Sequence, residues 1–267
     1  MFDLSNCRFA FLDLETTGLS PWFGDRICEV GILLTEGKRI KQQYQQLVNP
    51  QRPLSPAAAS TNRLRDADLA LAPTFPQIIA QVEALLKDSV VVCHNAAFDL
   101  QFLDSEYQRA GHQLQVPNLI DTLLIARNHF SFPSNSLTNI AAEFDIQNPD
   151  AHRALADALT DKNIFFAMME SLLKGGNRLD DFIGIYSSPA WPKDDIRLPI
   201  TLSELIYSGK RLLLHYQDKN GERSIRQIDP IGVEGISDYL YLRAHCHLRR
   251  EERTFRLDRI VELKTVL

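Results

Sequence analysis

Residues 7–16 read CRFAFLDLET and predict a strand that ends in two acidic side chains. Apolar residues occupy both faces of this strand up to residue 12, which is typical of a buried central strand. Asp13 and Glu15 then lie on one face at its end, where two like charges ~4 Å apart repel each other by ~4 kcal/mol at an effective dielectric of ~20. We therefore expect positive charge beside them, unless both carboxylates already lie in solvent at the edge of the sheet.

The pattern around this strand predicts an α/β fold with a mixed sheet covered by helices, because strands come first and then alternate with helices. Further strands are predicted at 26–34, 40–48 and 89–93. Helices are predicted at 75–87, from about residue 98 to a stop before Gly111, and at 120–130, 136–144 and 153–173.

A second, smaller domain is predicted after a stretch rich in Gly, Ser and Pro. We expect a first domain at 1–174, a linker at 175–199 and a second domain at 200–267. Residues 201–204 (TLSE) have the form of a capping box, and Asn220-Gly221 has the form of a hairpin turn. The strands of this all-β domain are predicted at 212–216, 225–228, 239–246 and 254–263.

Charge is divided unevenly between the two parts. Residues 1–194 carry 16 Lys and Arg against 23 Asp and Glu, a net charge of −7, whereas residues 195–267 carry 13 against 11, a net charge of +2. A protein that holds nucleic acid by neutralising phosphates is normally basic. Nucleic-acid chemistry in the first part would therefore need another source of positive charge, and bound metal cations would supply it.

The sequence predicts neither a membrane segment nor secretion. No apolar run approaches the ~18 residues that span a bilayer, and the N-terminus lacks the basic start and apolar stretch of a signal peptide. The four cysteines, at positions 7, 28, 93 and 246, do not have the spacing of metal ligands. We expect a cytoplasmic protein with free thiols and no membrane partner.

Two further acids lie where the chain enters a predicted helix. Asp99 follows the strand 89–93, and Asp157 lies in the segment HRALAD that opens the last helix. His152 precedes Asp157 by five positions, which on a regular helix would turn the two side chains about 140° apart, so we place His152 on the preceding loop. Taken alone, each acid is also explained as a helix N-terminal acid or a solvated surface acid.

The order of these residues resembles that of the DEDDh exonuclease family. The segments that carry the resemblance are FLDLETTGLS, VVCHNAAFDLQFL, IDTLLIAR and HRALADALTD, and they span about residues 8–172. Within the family they are most similar to the proofreading epsilon subunits of bacterial DNA polymerase III. The histidine five positions before the last acid is typical of the His branch. The resemblance implies a ribonuclease H-like fold, with a five-stranded mixed sheet flanked by helices.

The resemblance also implies a role for each residue of the site. Two divalent ions, Mg²⁺ or Mn²⁺, would be held by Asp13, Glu15, Asp99 and Asp157. Asp13 would lie between the ions, and His152 would act as general base on the attacking water. Two hard cations ~3.5–4 Å apart prefer oxygen ligands and can stabilise both the attacking and the leaving oxygen of phosphodiester hydrolysis. The terminal nucleotide would be held by Thr16, Thr17, Leu19, Asn95 and Phe98.

The end of the chain resembles the WYL domain, a small Sm/SH3-like β-barrel found in bacterial regulators. The resemblance covers about residues 200–267, with Leu240 in the place of the Trp that gives the domain its name. Family members bind nucleic acid or nucleotide-like ligands through arginines, whose planar fork suits phosphates. The corresponding residues here are Arg243, Arg253, Arg256 and Arg259. The alternative is a solvated charged strand, because acidic residues lie between these arginines.

The sequence therefore favours an enzyme, a 3′–5′ exonuclease that trims the 3′ ends of nucleic acid, in the first place single-stranded DNA, to nucleoside 5′-monophosphates for repair or degradation. An exoribonuclease is the first alternative, because sugar discrimination depends on the shape of the pocket around the 2′ position. The second is a regulatory protein whose WYL-like domain senses a nucleic-acid or nucleotide ligand while the nuclease fold is accessory. The complete set of acids and the histidine argue against the second alternative.

Overall fold

The computed structural model describes residues 3–18, 21, 25–176, 178–186, 205–206, 208–218, 222–236 and 239–266. The chain divides into two compact units. Met1–Thr16, Arg26–Pro53 and Thr61–Pro189 form the first, and Thr17–Asp25, Leu54–Ser60 and Ala190–Leu267 form the second. Residues 187–199 of the predicted linker and the predicted capping box at 201–204 lie outside the described residues, so the predicted domain boundaries stay a prediction.

A five-stranded mixed sheet forms the centre of the first unit, as predicted. Its strands are β1 (Arg8–Thr16), β2 (Ile27–Glu36), β3 (Arg39–Leu47), β4 (Val90–Cys93) and β5 (Leu119–Asp121). They lie in the order β3-β2-β1-β4-β5. β2 is antiparallel to both β1 and β3, whereas β4 is parallel to both β1 and β5. β1 therefore lies in the middle of the sheet, in agreement with its two apolar faces.

Helices cover both faces of this sheet. In chain order, the helices of the described residues are α1 (Pro56–Asn62), α2 (Asp66–Leu69), α3 (Phe75–Leu86), α4 (Ala96–Arg109), α5 (Thr122–His129), α6 (Leu137–Glu143) and α7 (Ala154–Lys174). Buried residues of α3 and α4 share one apolar core with Leu12, whereas those of α6 and α7 share the other core with Phe9 and Phe11. The rings of Phe9 and Phe165 lie 5.2 Å apart. Because each such buried side chain contributes roughly 1.5–3 kcal/mol, α7 is held firmly against β1.

One helix prediction at the edge of this sheet is wrong in part. The sequence predicts a single helix over 120–130, but β5 continues to Asp121 and α5 begins at Thr122. The Asp121 carboxylate marks the boundary because it caps α5, accepting hydrogen bonds from the amides of Leu123 and Leu124 at 2.9 and 3.3 Å. A strand of three residues is too short to show a period of its own within the apolar run that precedes the helix.

The C-terminal part of the second unit is all β, as predicted. Its strands are β6 (Leu212–Gln217), β7 (Arg223–Ile236), β8 (Tyr239–Cys246), β9 (Glu251–Arg256) and β10 (Ile260–Thr265). They form an antiparallel sheet in the order β10-β6-β7-β8-β9. Within the parts of the chain that are described, no pairing joins β9 to β10, so the sheet is open and the closed Sm/SH3-like barrel that the resemblance implies is not formed.

One strand of the small domain differs from the sequence-based expectation. The strand predicted over 254–263 is two strands, because a 3-10 turn at Leu257–Arg259 separates β9 from β10 and places them at opposite edges of the sheet. The predicted hairpin pairs β6 with β7, although its turn at Asn220-Gly221 lies outside the described residues. Across the residues that are described, no helix has the length and apolar character needed to cross a membrane.

Candidate active site

Four carboxylates converge at the end of β1. Asp13 and Glu15 are partly buried side chains of β1, and Asp99 and Asp157, in the first turns of α4 and α7, are 3% and 8% exposed. Burial raises the pKa of Asp13 well above its ordinary value, and repulsion from the other three carboxylates raises it further. The fold thus brings together the four residues that the sequence predicts as metal ligands.

Hydrogen bonds attach Asp99 and its helix to the sheet. Asp99 Oδ1 accepts from the backbone amide of Leu14 at 3.1 Å. α4 starts directly after β4 because Asn95 adopts a left-handed backbone conformation with φ 73°, which asparagine tolerates better than most residues. The Asp121 carboxylate accepts from the amides of Asn95 and Ala96 at 3.1 and 3.0 Å. Asp121 therefore holds the first turn of α4, and Asp99 with it, beside β5.

His152 lies on the loop before α7, as predicted, and its side chain is exposed. Its backbone amide donates to Asp157 Oδ2 at 3.0 Å, and Asn148 Nδ2 donates to Asp157 Oδ1 at 2.6 Å. One potential ligand atom from each of Glu15, His152 and Asp157 lies within 4.8 Å of the other two. The imidazole and two of the acids therefore occupy a space that one metal ion and its water could share.

The site concentrates negative charge in a place with little access to water. Burial, followed by repulsion from Asp157 and Glu29, raises the pKa of Glu15 to about 8, whereas Arg153 lowers it. Burial also raises the pKa of Asp157. Carboxylate oxygens are the ligands that hard divalent cations such as Mg²⁺ and Mn²⁺ prefer, and their charge would offset this repulsion. The residues present therefore fit the predicted kind of cofactor.

Three of the residues that were predicted to hold a nucleotide are Thr16, the last residue of β1, and Thr17 and Leu19, which follow it in the sequence. Thr16 and Thr17 are both buried. Thr17 Oγ1 donates a hydrogen bond to Asp25 Oδ1 at 3.2 Å. Leu19 lies outside the described residues. For these three positions the nucleotide-binding role stays a prediction.

The other two predicted nucleotide contacts belong to the start of α4. The Asn95 side chain is exposed, one turn before the buried Asp99. The Phe98 ring is partly buried against the apolar core, and its centroid lies 5.0 Å from that of Phe102. Phe98 is therefore partly a core residue, and for Asn95 and Phe98 the nucleotide-binding role stays a prediction.

The sequence-based reading missed an ion pair beside the site. Glu29 on β2 is completely buried and lies opposite Glu15 in the β1–β2 register. It accepts two hydrogen bonds from the Arg153 guanidinium, at 3.1 and 2.7 Å. The available signal was a single acid within the apolar run ICEVGILL, since a buried carboxylate needs a partner.

A second missed residue is Asp161, one helical turn after Asp157. It is 2% exposed, and burial raises the pKa of its carboxyl group to about 7. Thr122 Oγ1 lies 2.5 Å from Asp161 Oδ1 and 3.0 Å from His94 Nδ1. A spacing of four from Asp157 places both acids on one helix face, which could have indicated its burial.

The predicted ligand-binding arginines of the C-terminal sheet do not share one face. Arg243 is exposed on β8, and its guanidinium lies 3.9 Å from the Glu252 carboxylate. Arg253 lies opposite the buried Ala244 in the β8–β9 register, and its Nη1 donates to Glu251 at 3.0 Å. The remaining two, Arg256 and Arg259, are partly exposed at the end of β9 and in the following 3-10 turn. Acidic neighbours therefore offset part of the predicted basic surface.

Comparison with known proteins agrees with this architecture. The exonuclease (RNase T) family model matches residues 10–165, and the WYL domain model matches residues 200–265. The PolC-type DNA polymerase III of Caldanaerobacter subterraneus subsp. tengcongensis is 32% identical over 171 residues, which is 63% of this chain and 12% of that protein. The 3′-5′ exonuclease DinG of Bacillus subtilis is 30% identical over 166 residues, which is 62% of this chain and 18% of that protein. The chain thus matches only a small part of these curated relatives.

Solved structures of exonucleases share the fold. Exonuclease X in complex with 5′ overhanging duplex DNA matches with a TM-score of 0.51 and 24% identity, over 65% of this chain and 96% of that one. E. coli exonuclease I in complex with a dT13 oligonucleotide matches with a TM-score of 0.54 and 15% identity, over 89% of this chain and 55% of that one. The family model covers more than half of the chain, and its range includes all four converging carboxylates. The chain therefore belongs to the exonuclease family, and its C-terminal part matches the WYL domain model.

Proposed function

We propose that this protein is a metal-dependent 3′–5′ exonuclease that hydrolyses nucleic acid, in the first place single-stranded DNA, to nucleoside 5′-monophosphates. The observation that carries the proposal is the convergence of the four carboxylates at the end of β1, with His152 beside Asp157. Membership of the exonuclease family supports it, and so does the name of the relative DinG, a 3′-5′ exonuclease.

The proposed roles follow from the positions of the side chains. Asp13, Glu15, Asp99 and Asp157 would hold two ions, Mg²⁺ or Mn²⁺, which when bound polarise the phosphodiester and stabilise the attacking and leaving oxygens. His152 would accept the proton of the attacking water, because its ring is exposed next to Asp157 and imidazole exchanges protons near neutral pH. Asp99 is kept in place by the amide of Leu14.

The terminal nucleotide would lie between the end of β1 and the start of α4. The side-chain amide of Asn95, an exposed residue, and the outer part of the Phe98 ring would contact it. Aromatic stacking of this kind contributes roughly 1–3 kcal/mol per base and tolerates any base. Thr16, Thr17 and Leu19 complete the proposed set.

DNA is preferred over RNA as the proposed substrate because of the relatives that match at 30% identity or more. Among them is a PolC-type DNA polymerase III. The RNA alternative has its own support, since the fold also matches a 3′-exonuclease whose structure concerns recognition of a histone mRNA stem-loop, at 19% identity and a TM-score of 0.56. A cytoplasmic location stays part of the proposal, in keeping with four buried cysteines that form no disulfide.

Digestion of 5′-labelled single-stranded DNA, duplex DNA and RNA in parallel tests the proposal. We expect a ladder that shortens from the 3′ end and releases 5′-monophosphates, only with Mg²⁺ or Mn²⁺ and not with EDTA. Asp13→Ala, purified in the same way, controls for contaminating nucleases. Faster digestion of RNA would favour the exoribonuclease, and no release from any substrate with either ion would overturn the proposal.

For the C-terminal sheet we propose binding of the nucleic-acid backbone through Arg243, Arg253, Arg256 and Arg259. Arg256→Ala together with Arg259→Ala should raise KM on long single strands while kcat on a short oligonucleotide stays unchanged. Each lost phosphate contact should reduce the log–log salt dependence by about 0.7. The control is Arg65→Ala, which removes an exposed arginine paired with Asp68 in the first unit. Unchanged KM and salt dependence would instead favour a nucleotide ligand and a regulatory role.

A further inference from the structure

Both carboxylate oxygens of the buried Glu29 accept two hydrogen bonds each. Its Oε1 accepts from Arg153 Nη2 at 2.7 Å and from Gln45 Nε2 at 2.8 Å. Its Oε2 accepts from Arg153 Nε at 3.1 Å and from the backbone amide of Ala154 at 3.2 Å. A carboxylate without access to water is stable only with such a complete set of donors. The position of Glu29 therefore depends on Arg153 and Ala154, and theirs depends on Glu29.

These contacts replace the cap that α7 lacks. Arg153 is the N-cap residue of α7, and its side chain makes no capping hydrogen bond because a guanidinium offers no acceptor. The first amides of a helix need acceptors, and a carboxylate near them also interacts favourably with the helix dipole. Glu29 supplies this acceptor from β2. The start of α7 is thus capped by the neighbouring strand.

The residue immediately before this cap is His152, whose backbone is left-handed with φ 67°. For a residue other than glycine this conformation costs roughly 1–2 kcal/mol, so it persists only where neighbours impose it. On one side the His152 amide is bound by Asp157. On the other side, the next two residues are both bound by Glu29. The His152 backbone is therefore held between two carboxylates.

We propose that Glu29 is a positioning residue of the nuclease site, which holds His152 in its left-handed conformation, and its imidazole beside Glu15 and Asp157, by binding Arg153 and the amide of Ala154. This inference rests on the proposed function, in which His152 is the general base. Glu29 itself does not touch substrate. Glu29 lies opposite Glu15 in the β1–β2 register. This one pair of residues therefore contains a proposed metal ligand, Glu15, and the residue that positions the proposed base.

A double-mutant cycle between Glu29 and His152 tests this role. Glu29→Gln keeps the size of the side chain but replaces one acceptor oxygen by an NH₂ donor and removes the charge that Arg153 binds. We expect kcat to fall roughly 10- to 100-fold, with little change in KM or in Mn²⁺ binding measured by calorimetry, and the loss to shrink as pH rises, because hydroxide then replaces a displaced base. In the His152→Ala background, Glu29→Gln should have almost no further effect on kcat.

Glu106→Gln is the matched control. Glu106 is also a buried carboxylate in the first unit, with an Arg26 guanidinium bound at 2.5 and 2.7 Å, but it belongs to α4 rather than to the start of α7. The Glu106→Gln variant should have a lower melting temperature, and its effect on kcat should be the same with and without His152. Arg153→Lys keeps the positive charge but cannot make the two hydrogen bonds of the guanidinium, so we expect a kcat between those of the wild type and Glu29→Gln. It is the second test variant if Glu29→Gln folds poorly.

The outcomes separate the two hypotheses. If His152→Ala leaves kcat unchanged, the proposed general base is wrong. The inference is overturned if His152→Ala lowers kcat but Glu29→Gln reduces kcat by the same factor in the wild type and in the His152→Ala background. Glu29 would then have only a structural role.

Discussion

Gly31 on β2 lies directly against the backbone of Ala154, the first residue of α7. A Cβ atom on residue 31 would lie 2.3 Å from the Ala154 carbonyl carbon and 2.4 Å from the backbone nitrogen of Leu155. Backbone atoms cannot move aside as a flexible side chain can, so only glycine allows this approach. Gly31 is also the register partner of Asp13. The distance between α7 and the metal-ligand end of β1 is therefore set at this glycine.

The first prediction is that Gly31→Ala displaces the start of α7 and with it Asp157 and His152. We expect a clearly lower melting temperature and a loss of nuclease activity larger than the loss of folded protein explains. Gly184→Ala is the control, because a Cβ there would meet only the Leu119 carbonyl oxygen, at 3.9 Å. Circular dichroism and single-turnover rates on the same samples make the comparison. A Gly31→Ala protein with normal Mn²⁺ affinity and normal rates would contradict the prediction.

The second prediction concerns the four carboxylates as a unit. Alanine at Asp13, Glu15, Asp99 or Asp157 should reduce hydrolysis by several orders of magnitude, because each would remove a ligand from a shared two-metal centre. Folding should survive, and metal-free Asp13→Ala should melt no lower than the metal-free wild type, since repulsion from the other three acids disappears. Full activity in any one variant would remove that residue from the proposed set of ligands.

The third prediction is that His152→Ala lowers turnover by roughly 10²- to 10⁴-fold, the usual range for a lost general base. Metal affinity should be nearly retained, and the defect should become smaller toward high pH. A pH–rate profile from pH 6 to 9.5 and a Mn²⁺ titration measure both properties. A defect of constant size across this range, or a loss of affinity equal to that of Asp157→Ala, would point to a metal ligand instead of a base.

The fourth prediction is that the metal-free protein loses stability as pH rises. Burial raises the pKa of Glu15 to about 8 and that of Asp161 to about 7, against ~4.3 and ~3.9 in an unfolded chain. The folded state thus binds these protons more tightly, and the stability they contribute is complete below about pH 4 and disappears as pH rises through the folded pKa values. We expect urea midpoints to fall between pH 5 and 8, and Mg²⁺ or Mn²⁺ to oppose the fall.

Asp161→Asn separates this effect from other titrations. An amide cannot ionise, so the variant should lose stability less steeply, by at most about 1.4 kcal/mol per pH unit over the affected range. The control is Asp145→Asn, on the surface after α6. Equal slopes for wild type and Asp161→Asn would mean that the Asp161 carboxyl group does not titrate in this range.

Most of the fold follows from local patterns in the sequence. The alternation of apolar faces in residues 9–12 predicts a buried strand, and helical spacing predicts α3 and α7 to within a residue or two at each end. The four acids that converge at the end of β1 were also predicted as a group, because their order along the chain resembles that of a known family. β5 was missed and the barrel was predicted wrongly, since a three-residue strand has no period and sheet closure depends on pairing between edges that are distant in sequence.

The sequence by itself predicted which residues would carry the chemistry and determined on which elements most of them lie. Only the tertiary structure decided how these residues are held together. Glu29 caps α7, which begins 125 residues later in the chain, and the absence of a side chain at Gly31 lets the backbone of α7 pack against β2. Asp161 is buried beside Thr122. Local patterns indicated at most that Glu29 and Asp161 are buried, and they did not identify the partner, because an acid or a glycine has the same neighbours in sequence whichever element packs against it. Burial and hydrogen bonding are properties of the partner as much as of the residue, and the partner is chosen only when the chain folds.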